Sequence, residues 1–103
     1  MPAFLDPFPG ITPNKKINKA ELIRAIRLDL AAELEASHLY EAHADATSDA
    51  KVADLLRDIS DEEKVHAGEL MIVLETLDSK EGNAWEKGKK EAAKKLKSGV
   101  KAI

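Results

Sequence analysis

A segment near the middle of the chain places two polar residues inside an otherwise apolar helical stripe. The segment spans residues 52–77 and reads VADLLRDISDEEKVHAGELMIVLETL. At about 100° of rotation per residue, the large hydrophobic side chains of this segment lie on one side of a helix. We expect that side to be a packing seam, and Glu63 and His66 lie in the middle of it. Lys64 points to the far side, so no cation lies in the stripe. Because a carboxylate is rarely buried without a partner, another group must neutralise Glu63.

The segment before it carries a second carboxylate of the same kind. Asn18 is a typical helix N-cap residue and Glu21 completes a capping box, which predicts a first helix from Asn18 to about Thr47. The same rotation places Glu33 at the centre of this helix's apolar stripe, while Arg27 points away from it. The opposite side of the helix is also fairly apolar, which predicts a second contact partner.

A short polar break joins the two helices. Residues 47–49 read Thr-Ser-Asp, which suits a tight helix-helix connection whose serine or aspartate caps the second helix. In an antiparallel pair that turns here, residues at equal height have numbers that add up to about 96. Glu33 then lies opposite Glu63 and within one turn of His66. Three potential ligands are thus predicted to converge from two stripes.

Composition supports an all-α fold. Ala, Leu, Glu and Lys are abundant, and Gly and Pro lie largely near the two ends. A chain of 103 residues buries a modest fraction of its surface, so oligomerisation would add stability. The absence of cysteine excludes disulfides and thiolate metal sites, which leaves carboxylate and imidazole as metal ligands. Neither a signal-peptide pattern nor an apolar run long enough to span a bilayer occurs, so we predict a soluble, intracellular protein with no membrane partner.

The chain divides into three parts. Residues 1–17 contain all four prolines and both phenylalanines, which predicts an extended arm that docks on a neighbour, with a frayed terminus as the alternative. Residues 18–79 form the predicted hairpin. Residues 80–103 form a basic C-terminal tail with eight Lys against three Glu, a net charge of +5, so the other residues carry −8.

The tail is predicted to contain a short helix. A break at residues 78–82 is followed by Asn83 and Glu86, an N-cap signal for a helix that carries Trp85, Ala92 and Leu96. A lysine-rich helix face is more often solvated than bound to nucleic acid, so no nucleic-acid partner is predicted. The favoured contact is the acidic hairpin itself or its neighbours.

The three convergent ligands are half of a known type of site. A di-iron carboxylate bundle takes one Glu from each of two helices and a Glu-x-x-His from each of the other two. This chain supplies Glu33 once and the pair Glu63 and His66 once, and the residues after Leu77 are too few for two more such helices. The other half is predicted to come from a second copy related by a twofold axis, completing a four-helix bundle. A purely structural polar network is the alternative.

Two segments resemble the encapsulated ferritins, the short two-helix ferritin-like proteins housed within encapsulin nanocompartments. They are AELEASHLYE, residues 32–41, and DEEKVHAGEL, residues 61–70. The resemblance implies a ferroxidase centre between two subunits, with Glu33, Glu63 and His66 of each as iron ligands. It also implies a decameric ring built from dimers, the encapsulin shell as a partner, and a cytoplasmic location within the encapsulin compartment.

Further residues follow from the same resemblance. Tyr40 matches a tyrosine beside the metal centre, and Glu35 matches one of two glutamates that form a metal entry site. Ala32 stands in place of the other glutamate and Leu39 in place of a family tryptophan, so the chain departs from the pattern at the entry site. Family members end in an address peptide for the shell or continue into the shell protein, and the terminal SGVKAI does not clearly match that address.

The donor set suits iron and leaves other functions open. Carboxylates and imidazole bind Fe(II) and Fe(III) but also admit Mn and Zn. Two ferrous ions would give electrons to dioxygen or peroxide, and the acidic surface would attract Fe(II). A hairpin has no room for a mineral, so iron storage would require an outer container. The alternatives are a non-catalytic oligomerisation module stapled by Zn or Ca, and a di-iron peroxidase resembling rubrerythrin.

Overall fold

The structure, a computed structural model, describes residues 16–98. These residues form three helices and no strand: α1 spans Lys19–Ala46, α2 spans Ala50–Leu77 and α3 spans Ser79–Lys97. The all-α fold and the two-helix hairpin with a further C-terminal helix are therefore confirmed. The predicted arm, apart from its last two residues, lies outside the described residues. None of the described helices is long and apolar enough to cross a membrane.

The ends of α1 and α2 follow local capping chemistry. The Asn18 side chain accepts a hydrogen bond of 2.8 Å from the Glu21 amide, and the Glu21 carboxylate accepts one of 3.0 Å from the Asn18 amide. Both halves of the predicted capping box are present. Across the break, the Asp49 carboxylate accepts from the amides of Lys51 and Val52, so Asp49 caps α2.

Small side chains, together with Leu74, form the seam between α1 and α2. The Ser60 hydroxyl donates a hydrogen bond of 3.0 Å to the Ser37 carbonyl oxygen, and the two hydroxyl oxygens lie 2.9 Å apart. A serine reaches the backbone of another helix only when the helices are very close, which small residues permit. The buried residues of the seam are Ser37 and Ala44 on α1 and Ala53, Ser60, Ala67 and Leu74 on α2. The Ser37–Ser60 pair matches the register predicted for the hairpin.

The prediction that Glu63 and His66 lie inside the seam is wrong within one chain. The side chain of Glu63 is 19% exposed and that of His66 is 50% exposed, and both lie beside the seam. The apolar pattern favours the large hydrophobic residues as the packing stripe, whereas the two helices meet mainly through the smaller residues next to it. Part of the stripe that holds Glu63 and His66, namely Val52, Leu55 and Val73, remains exposed on one flank of the hairpin.

The other flank carries ion pairs between the helices. Lys64 Nζ lies 2.8 Å from Glu41 Oε1, and an Arg57 guanidinium nitrogen lies 3.3 Å from Asp45 Oδ1. The Lys64 ammonium beside it lowers the pKa of Glu41, and Glu41 raises the pKa of Lys64. Exposed pairs of this kind contribute little stability. The pair with Glu41 does hold the Lys64 ammonium on the side of the hairpin away from Glu63.

The start of α3 differs from the prediction. The break after α2 is the single residue Asp78, whose carboxylate accepts a hydrogen bond of 3.3 Å from the Glu81 amide. The expected break at residues 78–82 and the N-cap at Asn83 are therefore wrong, because Asp78 already supplies a cap. Arg27 of α1 forms an ion pair with the buried Glu81 carboxylate, which ties the first turn of α3 to the hairpin.

Candidate metal centre

Three side chains from two helices meet beside the seam. Glu33 comes from α1, and Glu63 and His66 lie one turn apart on α2. One ligand atom of each lies within 4.8 Å of the others. His66 Nδ1 is 3.5 Å from Glu33 Oε2 and 3.9 Å from Glu63 Oε2. The close α1–α2 approach at the serine pair is what brings residues so far apart in the sequence into one cluster.

One oxygen of the cluster lacks a hydrogen-bond partner. Glu33 Oε2 is shielded from solvent, and none of the described residues donates a hydrogen bond to it. Its neighbour His66 Nδ1 is near but makes no such bond. A shielded carboxylate oxygen without a donor is unfavourable, and a bound cation would remove that penalty. The residues present therefore fit a metal ion.

The electrostatics of the cluster also favour a cation. The adjacent Glu33 carboxyl, to which a protonated Glu63 would donate a hydrogen bond, raises the pKa of Glu63, and desolvation and the Glu33 charge act in the same direction. The charge of His66 opposes this rise in the Glu63 pKa only in part. Two carboxyl groups this close retain a proton more readily than isolated ones. A divalent ion would relieve the same repulsion between the two carboxylates.

The donor set defines which ions suit the cluster. Two carboxylates and one imidazole are ligands for Fe, Mn or Zn, and three protein ligands leave coordination positions open. His66 is half exposed, so the open side of the cluster faces away from the hairpin. Around it, hydrophobic side chains on the same flank of α2 are exposed, namely Val52, Leu55 and Val73. We call this flank, with the three ligands and these side chains, the metal face.

The other two predicted site residues lie outside the cluster. Glu35 follows Glu33 by two residues and so projects about 200° around α1, away from the three ligands. It is half-buried and is absent from the group of convergent carboxylates and imidazoles among residues 16–98. Tyr40 is half-buried and lies two turns along α1 from Glu33, on the same flank.

The residues that position the ligands were missed in the sequence. Ser37 and Ser60 hold the helices together next to Glu33 and Glu63, yet neither was assigned a role. The signal was present as a repeat of small residues at intervals of seven along α2, Ala53, Ser60 and Ala67. Intervals of seven keep residues on nearly the same side of a helix, so the repeat marks the side that allows closest approach.

The chain has recognisable relatives. Residues 11–102 match the Rubrerythrin family model. The chain is 40% identical over 73 residues to the encapsulin nanocompartment cargo protein EncC of Myxococcus xanthus. The aligned region covers 71% of this chain and 55% of that protein. It is 43% identical over 68 residues to the ferritin-like-encapsulin shell fusion protein of Pyrococcus furiosus, covering 66% of this chain and 20% of that protein.

A solved structure shows the same fold. The crystal structure of the encapsulated ferritin domain from Pyrococcus furiosus superposes with a TM-score of 0.75 at 34% identity, covering 89% of this chain and 95% of that one. The resemblance to encapsulated ferritins is thereby confirmed. The chain spans about half the length of the first curated relative and a fifth of the second.

Proposed function

This chain belongs to the rubrerythrin family, with encapsulated ferritins among its relatives, and on that basis we propose that it is a ferroxidase. Its substrate is Fe(II), which it oxidises to Fe(III). The observation that carries the proposal is the cluster of Glu33, Glu63 and His66, in which one shielded carboxylate oxygen has no donor. A cluster short of positive charge, with an imidazole donor and an open side, is suited to bind and release a redox-active cation.

We place the complete site between two copies of the chain. One copy offers two carboxylates and one imidazole, half of the set that a di-iron bundle uses. A twofold axis through the metal face would bring in the second half and cover the exposed Val52, Leu55 and Val73 at the same time. The same contact would thus complete the metal ligation and bury the open apolar flank.

Each ligand has a role that its chemistry supports. Two Fe(II) ions bound between the copies would supply one electron each to dioxygen or peroxide. Glu33 and Glu63 from both copies would stabilise the higher charge of the ferric product, and neutral His66 would add a nitrogen donor. The crowding of carboxyl groups that raises the pKa of Glu63 would be relieved by a bound cation.

Two further residues belong to the proposal. Tyr40 lies on the flank of Glu33 and would stand beside the centre. Glu35 projects from the other side of α1, where it would receive Fe(II) before the ion reaches the centre. With Ala32 next to it in place of a second carboxylate, that entry site would hold the ion weakly.

The named relatives support a location inside an encapsulin compartment. One is an encapsulin cargo protein and another is fused to a shell protein. We therefore propose that the encapsulin shell is the partner and container, in the cytoplasm, and that dimers assemble into a decameric ring for iron storage. The shell would receive the ferric product, which a two-helix hairpin has no room to hold.

Iron oxidation kinetics test the activity. Fe(II) is added without oxygen, oxygen is then admitted, and ferric absorbance in the near ultraviolet is followed with time. Glu63→Ala is expected to abolish rapid oxidation, whereas Glu62→Ala, which removes the exposed neighbouring carboxylate, is expected to leave it intact. Equal rates for the two variants would refute the site. Binding of iron without oxidation would instead indicate a non-catalytic oligomerisation module that is held together by metal.

The match to the rubrerythrin model favours peroxidase activity as the second candidate. The chain contains no cysteine, so it cannot hold a rubredoxin-type iron site. Admitting hydrogen peroxide in place of oxygen in the same assay distinguishes the candidates. A peroxidase would turn over faster with peroxide and would sustain turnover when a reductant is supplied.

A further inference from the structure

Two serines join α1 and α2 directly beside the metal cluster. Ser37 lies one turn after Glu33 on α1, and Ser60 lies one turn before Glu63 on α2. Ser37 is 5% exposed and Ser60 is 0% exposed, and they are the only buried polar residues of α1 and α2. Because each turn of a helix is held by its backbone hydrogen bonds, the separation of the two serines constrains the separation of the two carboxylates.

The two hydrogen bonds of the serine pair have definite donors. The Ser60 hydroxyl lies 3.0 Å from the Ser37 carbonyl oxygen, which can only accept, so the single Ser60 hydrogen is used there. The two hydroxyl oxygens are 2.9 Å apart, so the Ser37 hydroxyl donates to the Ser60 oxygen. We call these two residues and their two bonds the serine clasp. Both bonds include the Ser60 hydroxyl, whereas only one includes the Ser37 hydroxyl.

The serine clasp is the only buried polar contact between α1 and α2. The other contacts outside the cluster are the exposed ion pairs of Glu41 with Lys64 and of Asp45 with Arg57, which lie on the other flank. Water screens such pairs, so they constrain the helices weakly. From the clasp to the open end of the hairpin, the described residues form no hydrogen bond or ion pair between α1 and α2 except within the cluster itself.

Close approach of the helices does not by itself require serine. Alanine is small enough, as Ala44, Ala53 and Ala67 show along the same seam. A buried hydroxyl that is paired again adds only modest net stability, because it gives up its hydrogen bonds to water. The hydroxyls add direction, since a hydrogen bond depends on distance and angle whereas apolar burial is non-directional. The clasp therefore fixes the spacing of the helices more closely than methyl groups would.

We propose that the serine clasp preorganises the metal cluster by fixing the separation of Glu33 and Glu63 before an ion binds. This role rests on the metal centre proposed above and adds Ser37 and Ser60 to it as positioning residues, which act on the ligands through the backbone of the two helices. Groups that orient metal ligands from outside commonly change metal affinity by about 10–100-fold. Loosening the clasp should therefore weaken metal binding even when the two helices still pair.

Cobalt binding measures the effect without any need for turnover. Co(II) is titrated into the chain at one fixed chain concentration, and its visible absorption, which depends on the number and arrangement of its ligands, is followed. Ser60→Ala breaks both bonds of the clasp and is expected to bind Co(II) about tenfold more weakly than the unmodified chain, with an altered spectrum. Ser37→Ala breaks one bond and should show a smaller loss of affinity.

Ala44→Gly is the matched control for a loss of hairpin stability alone. Ala44 is buried in the same seam, eleven residues after Glu33 and therefore roughly 16 Å away along α1. Glycine there weakens the helix and its packing but breaks no bond of the clasp. This variant is expected to lose stability in urea while keeping the Co(II) affinity and spectrum of the unmodified chain. Circular dichroism checks that every variant remains helical.

The double substitution tests whether the two serines act as one unit. Because both bonds include the Ser60 hydroxyl, adding Ser37→Ala to Ser60→Ala removes no further bond of the clasp. The double variant should bind Co(II) as Ser60→Ala does, which is the non-additivity expected of two residues that share one interaction. Losses of affinity that multiply would show that each serine acts separately, and would overturn the clasp.

The positioning role can fail independently of the ferroxidase activity. Unchanged Co(II) affinity in both serine variants, or an equal loss in Ala44→Gly, would overturn the positioning role. A chain that shows the expected differences in Co(II) binding but does not oxidise Fe(II) would support the clasp and refute the ferroxidase activity. If Ser60→Ala does not fold, the comparison of Ser37→Ala with Ala44→Gly decides in the same way.

Discussion

Replacing Glu33 by glutamine should stabilise the protein when metal is removed. In the metal-free cluster one shielded oxygen of Glu33 has no donor, and the adjacent Glu33 carboxyl raises the pKa of Glu63, first as an acceptor for its proton and also through desolvation and charge. Glutamine has nearly the same shape, removes one negative charge, and can donate its amide hydrogen to Glu63. The desolvation penalty of an unpaired polar group is about 1–3 kcal/mol, and partial exposure places the expected gain near the lower end, about 1 kcal/mol.

The pH dependence of this gain has a definite sign. The raised pKa of Glu63 means that the folded state binds the proton more tightly than the unfolded state. The corresponding stability is fully present below the ordinary glutamate pKa and is lost as pH rises through the higher pKa of the folded state. The increase in the free energy of unfolding of Glu33→Gln over the unmodified chain should thus be small at acidic pH and reach its full size at neutral pH.

Urea unfolding in chelator measures the effect. Both proteins are unfolded at equal concentration across a pH series, and the difference in their free energies of unfolding is plotted against pH. Taking the difference cancels the pH-dependent stability that comes from carboxylates elsewhere in the protein. Glu41 is one of these, and its lowered pKa makes stability change with pH in the opposite direction. A glutamine variant less stable than the unmodified chain at neutral pH, or a difference independent of pH, would refute this account of the cluster.

Three other outcomes are expected. Glu35→Ala should slow the delivery of Fe(II) in stopped-flow oxidation while the final iron content per chain stays unchanged; loss of the central iron would contradict the separation of Glu35 from the cluster. Ser60→Leu should destabilise the hairpin by about 1–3 kcal/mol in urea, because the seam has no room for the larger side chain; an exposed control, Glu62→Leu, should change stability little. Metal at a hundredfold excess over Kd should favour association of the copies by about 2.7 kcal/mol. Light scattering should then show a larger mass with metal than in chelator, and a constant mass would exclude coupling between metal binding and association.

Local chemistry made the hairpin predictable from the sequence. The Asn18–Glu21 capping box and the cap at Asp49 depend on side chains within a few residues of the backbone groups they bond. Once both helix starts were known, the register followed, and with it the approach of Glu33 to Glu63. The start of α3 is not determined by local sequence, because Asp78 and Asn83 are both competent N-cap residues. The start at Ser79 is supported by tertiary contacts such as the Arg27–Glu81 ion pair.

The side on which the helices pack was less predictable. Hydrophobicity alone favours the large side chains as the seam, but the residues buried between α1 and α2 include Ser37, Ser60 and Ala67, and the serines bond directly across it. A large apolar stripe shows that a surface is to be covered and does not show which chain covers it. Val52, Leu55 and Val73 of the predicted apolar stripe of α2 remain exposed in one copy. The pattern of a single sequence does not show which surface of another chain would cover them.

Native mass spectrometry after anaerobic loading with Fe(II) tests most directly whether the site is shared between copies. Each copy offers one set of Glu33, Glu63 and His66, so iron is expected only on assemblies with even numbers of chains, at two ions per dimer. Monomers released by dilution are expected to be free of iron. Iron retained on monomers, or dimers that carry none, would contradict a di-iron centre formed between two copies.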